Sequence, residues 1–139
     1  MSASHCTSSS VPASFLRVLS DTASFHDWYL KDIYVANTGK IIHERSKPGF
    51  STVQLEMCTS NNDISYVLIF IDVISFHVSM EHSSDVSPVS FTSFGRCSHY
   101  TIDQTDSPPR HTLCFEGDAH IAIQCQKVKC KKLINSPFF

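Results

Sequence analysis

The chain has 139 residues, of which 42% are hydrophobic, and this is enough for one domain with a single buried core. Only 17% are charged, the net charge is −2, and the two signs are interspersed, which excludes the basic surface that nucleic-acid binding requires. No run approaches the roughly 18 apolar residues that span a bilayer, so we expect neither nucleic acid nor a membrane as a partner.

The first ten residues are rich in serine and almost uncharged. We therefore predict a disordered tail over residues 1–10 and a single β-rich domain over residues 11–135. This start has neither the positive nor the apolar region of a secretory signal, so the sequence predicts a cytoplasmic protein. In that setting the six cysteines are expected to be buried thiols rather than disulfides.

After Pro12, apolar residues such as Phe15 and Leu19 recur at helical spacing, which predicts a helix of two or three turns lying across a sheet. The next segment, SFHDWYLKDIYVAN, is typical of a first strand that enters the core through Phe25 and Trp28. A turn, a brief second strand at residues 41–42 and a loop are expected to follow.

Alternation of apolar and polar residues over 50–58 predicts a strand with Val53, Leu55 and Met57 on its buried face. Turn-forming residues at 60–63 indicate a hairpin that leads into the next strand.

The most apolar part of the chain is DISYVLIFIDVISFHVSME, residues 63–81, and it is predicted to be the central strand of the sheet. The residues expected to face inward are even-numbered up to Phe70, odd-numbered at Val73 and even-numbered again from Phe76. We therefore expect a tight turn or a β-bulge at Asp72 and Val73, since the apolar set would otherwise turn to solvent.

Residues 82–110 have a weaker pattern, with a loop followed by a short strand or helical turn. Alternating residues 111–115 and 119–128 predict a closing hairpin around Glu116-Gly117-Asp118. Within its second strand, period-two spacing places Cys125 and Cys130 on opposite faces. The interspersed lysines at 127, 129, 131 and 132 are typical of a solvated edge, which resists strand-to-strand aggregation.

His26 and Asp27 form the pair with the most obvious chemical potential. A histidine beside a carboxylate suits acid–base chemistry or metal binding. Strand neighbours point to opposite faces, however, so the two act together only in a loop, and a structural role for Asp27 at the strand entrance is favoured.

Motifs of the main catalytic and metal-binding classes are missing from the sequence. It contains no CxxC, HExxH or GxSxG and no glycine-rich phosphate loop. We therefore predict no catalytic residue, no metal site and no cofactor, and a binding protein is favoured over an enzyme.

The segments FHDWYLKDI, VQLEM, VLIFIDVISFHV and CFEGDAHIAIQC together resemble a group of small, uncharacterised bacterial proteins. In those proteins a short helix precedes a "His-Asp" first strand, and some are thought to be immunity proteins of polymorphic toxins. The resemblance implies an antiparallel β-rich α+β fold and a protein-binding role, and it carries over no catalytic residue. The chain departs from the pattern in its longer segment at 82–110 and its cysteine-rich C-terminal part.

The sequence as a whole predicts an α+β domain, mainly antiparallel, with a short N-terminal helix on one curved sheet or a two-sheet sandwich. The favoured function is a protein-binding surface, as in an immunity or accessory protein. The outward side chains expected on that surface are His77, Glu81, Gln54 and Glu56. The alternative is a small-molecule-binding protein or enzyme with His26 and Asp27 at the mouth of a pocket. Self-association into a homo-oligomer through a strand edge is a third possibility.

Overall fold

The structure, a computed structural model, describes residues 11–36, 41–42, 45–46, 52–80 and 94–134. The predicted tail, the segments between these ranges and Glu81 lie outside the described residues. The described elements are the helix α1 (Ala13–Asp21) and the strands β1 (Tyr29–Ala36), β2 (Ile41–Ile42), β3 (Arg45–Ser46), β4 (Thr52–Cys58), β5 (Ile64–Met80), β6 (Cys97–Asp103), β7 (Arg110–Phe115) and β8 (Ala119–Ile134).

Helix α1 begins directly after Pro12, whose carbonyl accepts hydrogen bonds from the backbone N–H groups of Phe15 and Leu16. Pro12 itself is the N-cap, with an extended backbone, and the predicted helix of two or three turns is confirmed by the nine residues of α1. At the other end, the hydroxyl of Thr22 donates a 2.8 Å hydrogen bond to the Val18 carbonyl. Phe15 is buried and fixes the helix against the sheet. Of the helices in the described ranges, none has the length and hydropathy to cross a membrane.

Six strands form one antiparallel sheet in the order β1-β4-β5-β8-β7-β6, and β2 pairs with β3 separately. Both predicted hairpins are confirmed, because β4 pairs with β5 and β7 pairs with β8 in antiparallel register. The α+β, mainly antiparallel fold is therefore confirmed. Apart from the β2–β3 pair, the described strands form one sheet, and the two-sheet sandwich expected as an alternative is not observed among them.

Strands β5 and β8 are so long that they divide this sheet into two parts. The first half-sheet consists of β1, β4, residues 64–71 of β5 and residues 127–134 of β8. The second half-sheet consists of residues 75–80 of β5, residues 119–124 of β8, β7 and β6. No described strand pairs with residues 127–134 of β8 on the side away from β5, so the lysines of β8 lie exposed along an edge, as the sequence predicts.

A β-bulge separates the two half-sheets, at the position predicted from the change of phase. Asp72 has a positive φ of 57°, and the register shifts between Val73 and Ser75. As a result Phe70 and Val73 both face the interior although they are three residues apart.

Strand β8 changes phase at the same bend. Cys125 and Val128 are both buried, with the exposed Gln126 and Lys127 between them. Cys130 consequently packs against the core on the same side as Cys125. The expectation that the two thiols lie on opposite faces was wrong, because strict alternation does not continue through the bend.

The two edges of the sheet meet at one point, which shows that the sheet is strongly curved. Tyr29 of β1 forms an isolated antiparallel bridge with Arg96, just before β6. The backbone N–H of Cys97 donates to the Trp28 carbonyl at 2.7 Å, and that of Asp27 donates to the Cys97 carbonyl at 2.8 Å. The curved-sheet expectation therefore holds, and the inner face encloses the core.

Aromatic rings from the helix, the turn after it and the second half-sheet fill the interior. The ring of Phe15 lies 5.7 Å from that of Tyr100, and the ring of Phe25 lies 5.3 Å from that of Trp28 in an edge-on arrangement. Such tilted and edge-on pairs are the favoured geometry for aromatic side chains. The Phe15–Tyr100 pair packs α1 against β6, and the Phe25–Trp28 pair packs the turn after the helix against the start of β1.

Candidate functional site

His26 and Asp27 lie in a tight turn between α1 and β1, not in a strand. Residues 22–27 form turns, and Ala23, Ser24, Phe25 and Asp27 all have positive φ. The predicted first strand is therefore confirmed only from Tyr29 onward. The side chain of Phe25 is completely buried and anchors the turn in the core. The backbone N–H of Phe25 also donates a hydrogen bond to the Thr22 hydroxyl.

This turn brings the two side chains near each other at the protein surface. Nδ1 of His26 lies 3.9 Å from Oδ1 of Asp27, and the side chains are 58% and 55% exposed. A solvated pair of this kind interacts weakly because water screens it. No group of three His, Cys, Asp or Glu side chains in the described ranges is arranged to hold a metal. The visible role of Asp27 is its backbone bond to Cys97, which joins the sheet edges.

Gln54 and Glu56 lie on the outer face of the first half-sheet, since their strand neighbours Val53, Leu55 and Met57 are buried. Three rows of cross-strand neighbours form this face: Asp32–Glu56–Val67–Lys131, Tyr34–Gln54–Ile69–Lys129 and Ala36–Thr52–Ile71–Lys127. We name it the charged face. Its acidic groups lie over β1 and β4, its aliphatic groups over β5 and its lysines over β8.

Two features of the charged face are suited to contact with another molecule. Tyr34 is 60% exposed, although it is a large aromatic side chain. Glu56 is paired only through a partly exposed contact, in which its Oε2 lies 3.5 Å from Nζ of Lys31. An exposed ion pair contributes little to stability, so these charges remain available for a partner.

Cys58 lies at the end of the charged face and is not a reactive group there. Burial raises the pKa of the Cys58 thiol, the nearby Lys31 opposes this shift, and Glu56 adds to it. A thiol with a raised pKa is a poor nucleophile because the thiolate is the reactive form. Five of the six cysteines lie in the described ranges and all five are free: Cys58, Cys97 and Cys125 are buried as predicted, whereas Cys114 and Cys130 are partly exposed.

His77 lies on the outer face of the second half-sheet, away from the other residues predicted to share its surface. The rows of this face are Ser75–Gln124–Arg110–Asp103, His77–Ala122–Thr112–Thr101 and Ser79–His120–Cys114–His99. We name it the imidazole face. Gln54 lies opposite Ile69, eight positions before His77 on β5, and at about 3.3 Å per residue the two are roughly 26 Å apart along the strand. The structure therefore does not unite His77 with Gln54 and Glu56.

Tyr100 and His111 form a buried pair that was not predicted from the sequence. The Tyr100 hydroxyl and Nδ1 of His111 share a hydrogen bond of 2.6 Å, and His111 is only 1% exposed. The rings of Phe15 and Phe70 lie 6.0 and 5.3 Å from the imidazole. The signal was present, because His111 alternates with the inward residues Leu113 and Phe115.

Burial keeps both members of this pair neutral. It lowers the pKa of His111 to about 4 and raises the pKa of Tyr100 well above its ordinary value. Burial also raises the pKa of Cys97, Cys125 and Cys130 to about 12, so the interior thiols are neutral as well. The interior groups are therefore structural, and the candidate functional groups lie on the two outer faces.

No family model matches the chain, and neither a curated protein nor a solved structure does.

Proposed function

We propose that the protein acts by binding another protein on its charged face. The observation that carries this proposal is the ordered array on the first half-sheet, in which acidic, aliphatic and basic side chains follow one another across four strands, with the exposed Tyr34 on the edge strand β1. Aromatic residues are enriched in protein interfaces, whereas isolated lysines and carboxylates at the rim steer a partner and set its orientation.

The pattern of charges defines the partner that would fit. In strand order, its contact surface would carry an apolar group over Tyr34, a basic group opposite Glu56, an apolar group over Ile69 and an acidic group opposite Lys129 or Lys131. A surface with the opposite order of charges would meet like charges on both sides, which is unfavourable.

An immunity or accessory protein is the form of this function that the sequence resemblance implies. Such a protein would work in the cytoplasm by occupying its partner, without chemistry of its own, and the solvated His26–Asp27 pair is in keeping with that role. A toxin gene beside the gene of this protein would support the immunity form. Neighbouring genes with no product bearing the complementary charge pattern would count against it.

The proposal is tested by placing a photo-reactive amino acid at position 34 and, as a matched control, at position 101 on the imidazole face. Both sites are exposed on the outer side of the same sheet. We expect a discrete adduct with one other protein from position 34 in the native host, and none from position 101. The adduct should be lost with Lys129→Glu and retained with Thr112→Glu. Equal adducts at both positions, or an adduct made only of two copies of this chain, would refute the proposal.

A further inference from the structure

The strongest unassigned feature outside the charged face is a pair of histidines on the imidazole face. His77 on β5 and His120 on β8 have ring centroids 5.7 Å apart, with an angle of 37° between the ring planes. His120 lies opposite Ser79, and His77 lies opposite Ala122, so the two imidazoles are diagonal neighbours on adjacent strands.

We propose that His77 and His120 together bind a divalent late transition-metal ion. A metal bonded to an imidazole nitrogen at about 2.0–2.1 Å lies roughly 3.2 Å from the ring centre, and two such rings at ordinary coordination angles have centres about 5–6 Å apart. The observed separation of 5.7 Å falls in this range, so the two rings are spaced as two ligands of one ion would be.

The surroundings of the pair support this assignment. Neither imidazole makes a hydrogen bond or ion pair with any other described residue. Ala122 and Ser79, the register partners of His77 and His120, both have small side chains, and His77 itself is exposed. The backbone beneath is the central strand pair of the sheet, which holds the two ligands at a fixed spacing.

The chemistry of the ligands selects the class of ion. Imidazole suits Zn²⁺, Ni²⁺ and Cu²⁺, whereas Mg²⁺ and Ca²⁺ require oxygen ligands that this pair does not offer. No third His, Cys, Asp or Glu of the described ranges completes the group. Water or a group from an incoming molecule therefore takes the remaining coordination positions.

Titration of the full chain with Ni²⁺ by calorimetry tests the proposal. Two single variants, His77→Ala and His120→Ala, should each weaken the strongest binding event by at least about tenfold, the difference between two ligands and one. His99→Ala is the matched control, since this exposed histidine lies on the same face but outside the pair. It should leave the affinity unchanged.

Because the chain contains eight histidines, the position of the ion must be read independently. Substoichiometric Ni²⁺ is paramagnetic and should broaden the amide signals of Ser79 and Ala122 before those of residues 30–36 in β1. This pattern should disappear in the His77→Ala variant while its thermal stability is unchanged. Broadening that starts elsewhere, or equal losses of affinity in His99→Ala and His120→Ala, would overturn the proposal.

Discussion

The two half-sheets share strands β5 and β8, yet they differ in what they present to solvent. The first carries carboxylates at one side, such as Glu56, and lysines at the other, such as Lys131, with the exposed Tyr34 on the edge strand β1. The second carries hydroxyl groups and three imidazoles, and its charged side chains are confined to the row that contains Arg110 and Asp103. Arg110 is already occupied by Asp106, with Nε 3.0 Å from Oδ2.

The inner faces of the same two half-sheets do not differ in this way. Both are closely packed and apolar, from Val53 and Leu68 in one to Leu113 and Ile121 in the other. Packing restricts the inward positions to side chains that fill the core, whereas the outward positions are free to vary. The contrast between the outer faces is therefore not required by the fold, and it is where functions of this protein are to be sought.

The largest effect is expected when a residue of the inner face is compared with its neighbour on the outer face. Leu68 is completely buried, and Ile69, the next residue of β5, is half-buried and belongs to the charged face. Leu68→Ala should lower the free energy of unfolding by about 2–5 kcal/mol through lost burial and a residual cavity. Ile69→Ala should cost about 1 kcal/mol, because less apolar area leaves the interior.

Denaturant unfolding of both variants measures this difference. Similar losses of unfolding free energy at positions 68 and 69 would show that the outer face is also covered, and the division into inner and outer faces would have to be abandoned.

A second test concerns His111, whose imidazole is buried. Burial lowers the pKa of His111 from 6.5 to about 4 in the folded state, so between these values the unfolded chain binds more protons. Stability from this group is complete above pH 6.5 and is lost as the pH falls toward 4. From pH 7 to pH 4 the loss should be about 3 kcal/mol.

The matched variant is His111→Gln, which keeps a polar group near Tyr100 and removes the titration. All other titrating groups are common to both proteins, so the difference between their unfolding free energies isolates His111. We expect the wild-type curve to fall more steeply with acid than that of the variant. Parallel curves would mean that His111 is accessible to water or protons in the folded state.

Much of the fold could be predicted because its signals are local in sequence. The hairpin turn at 60–63, the helix after Pro12 and the bulge at Asp72 each follow from residues within a few positions of one another. The bulge is instructive, because the change of inward phase between Phe70 and Phe76 requires an irregularity whatever the strand pairs with.

The candidate sites could not be predicted because they depend on register between distant strands. His77 and His120 meet only through the pairing of β5 with β8, and Glu56 is aligned with Lys131 through the same long strand. The His26–Asp27 turn was missed for another reason. Four residues with positive φ in a segment without glycine are not expected from the amino-acid types, and the burial of Phe25 holds them there.

The smallest expected effect concerns the bend that separates the two half-sheets. Asp72 is exposed and has a φ of 57°, a conformation that glycine adopts freely, that aspartate tolerates and that β-branched residues avoid. Asp72→Gly should therefore leave the unfolding free energy within about 1 kcal/mol of the wild type, whereas Asp72→Val should lower it by about 1–3 kcal/mol. Because the side chain of residue 72 points to solvent, the difference between the two variants reports the backbone alone.

If Asp72→Val were as stable as Asp72→Gly, the left-handed residue would not be needed for the bend. The change of phase in β8 between Cys125 and Val128 would then have to produce the bend by itself, and the separation of the two outer faces would depend on β8 rather than on β5.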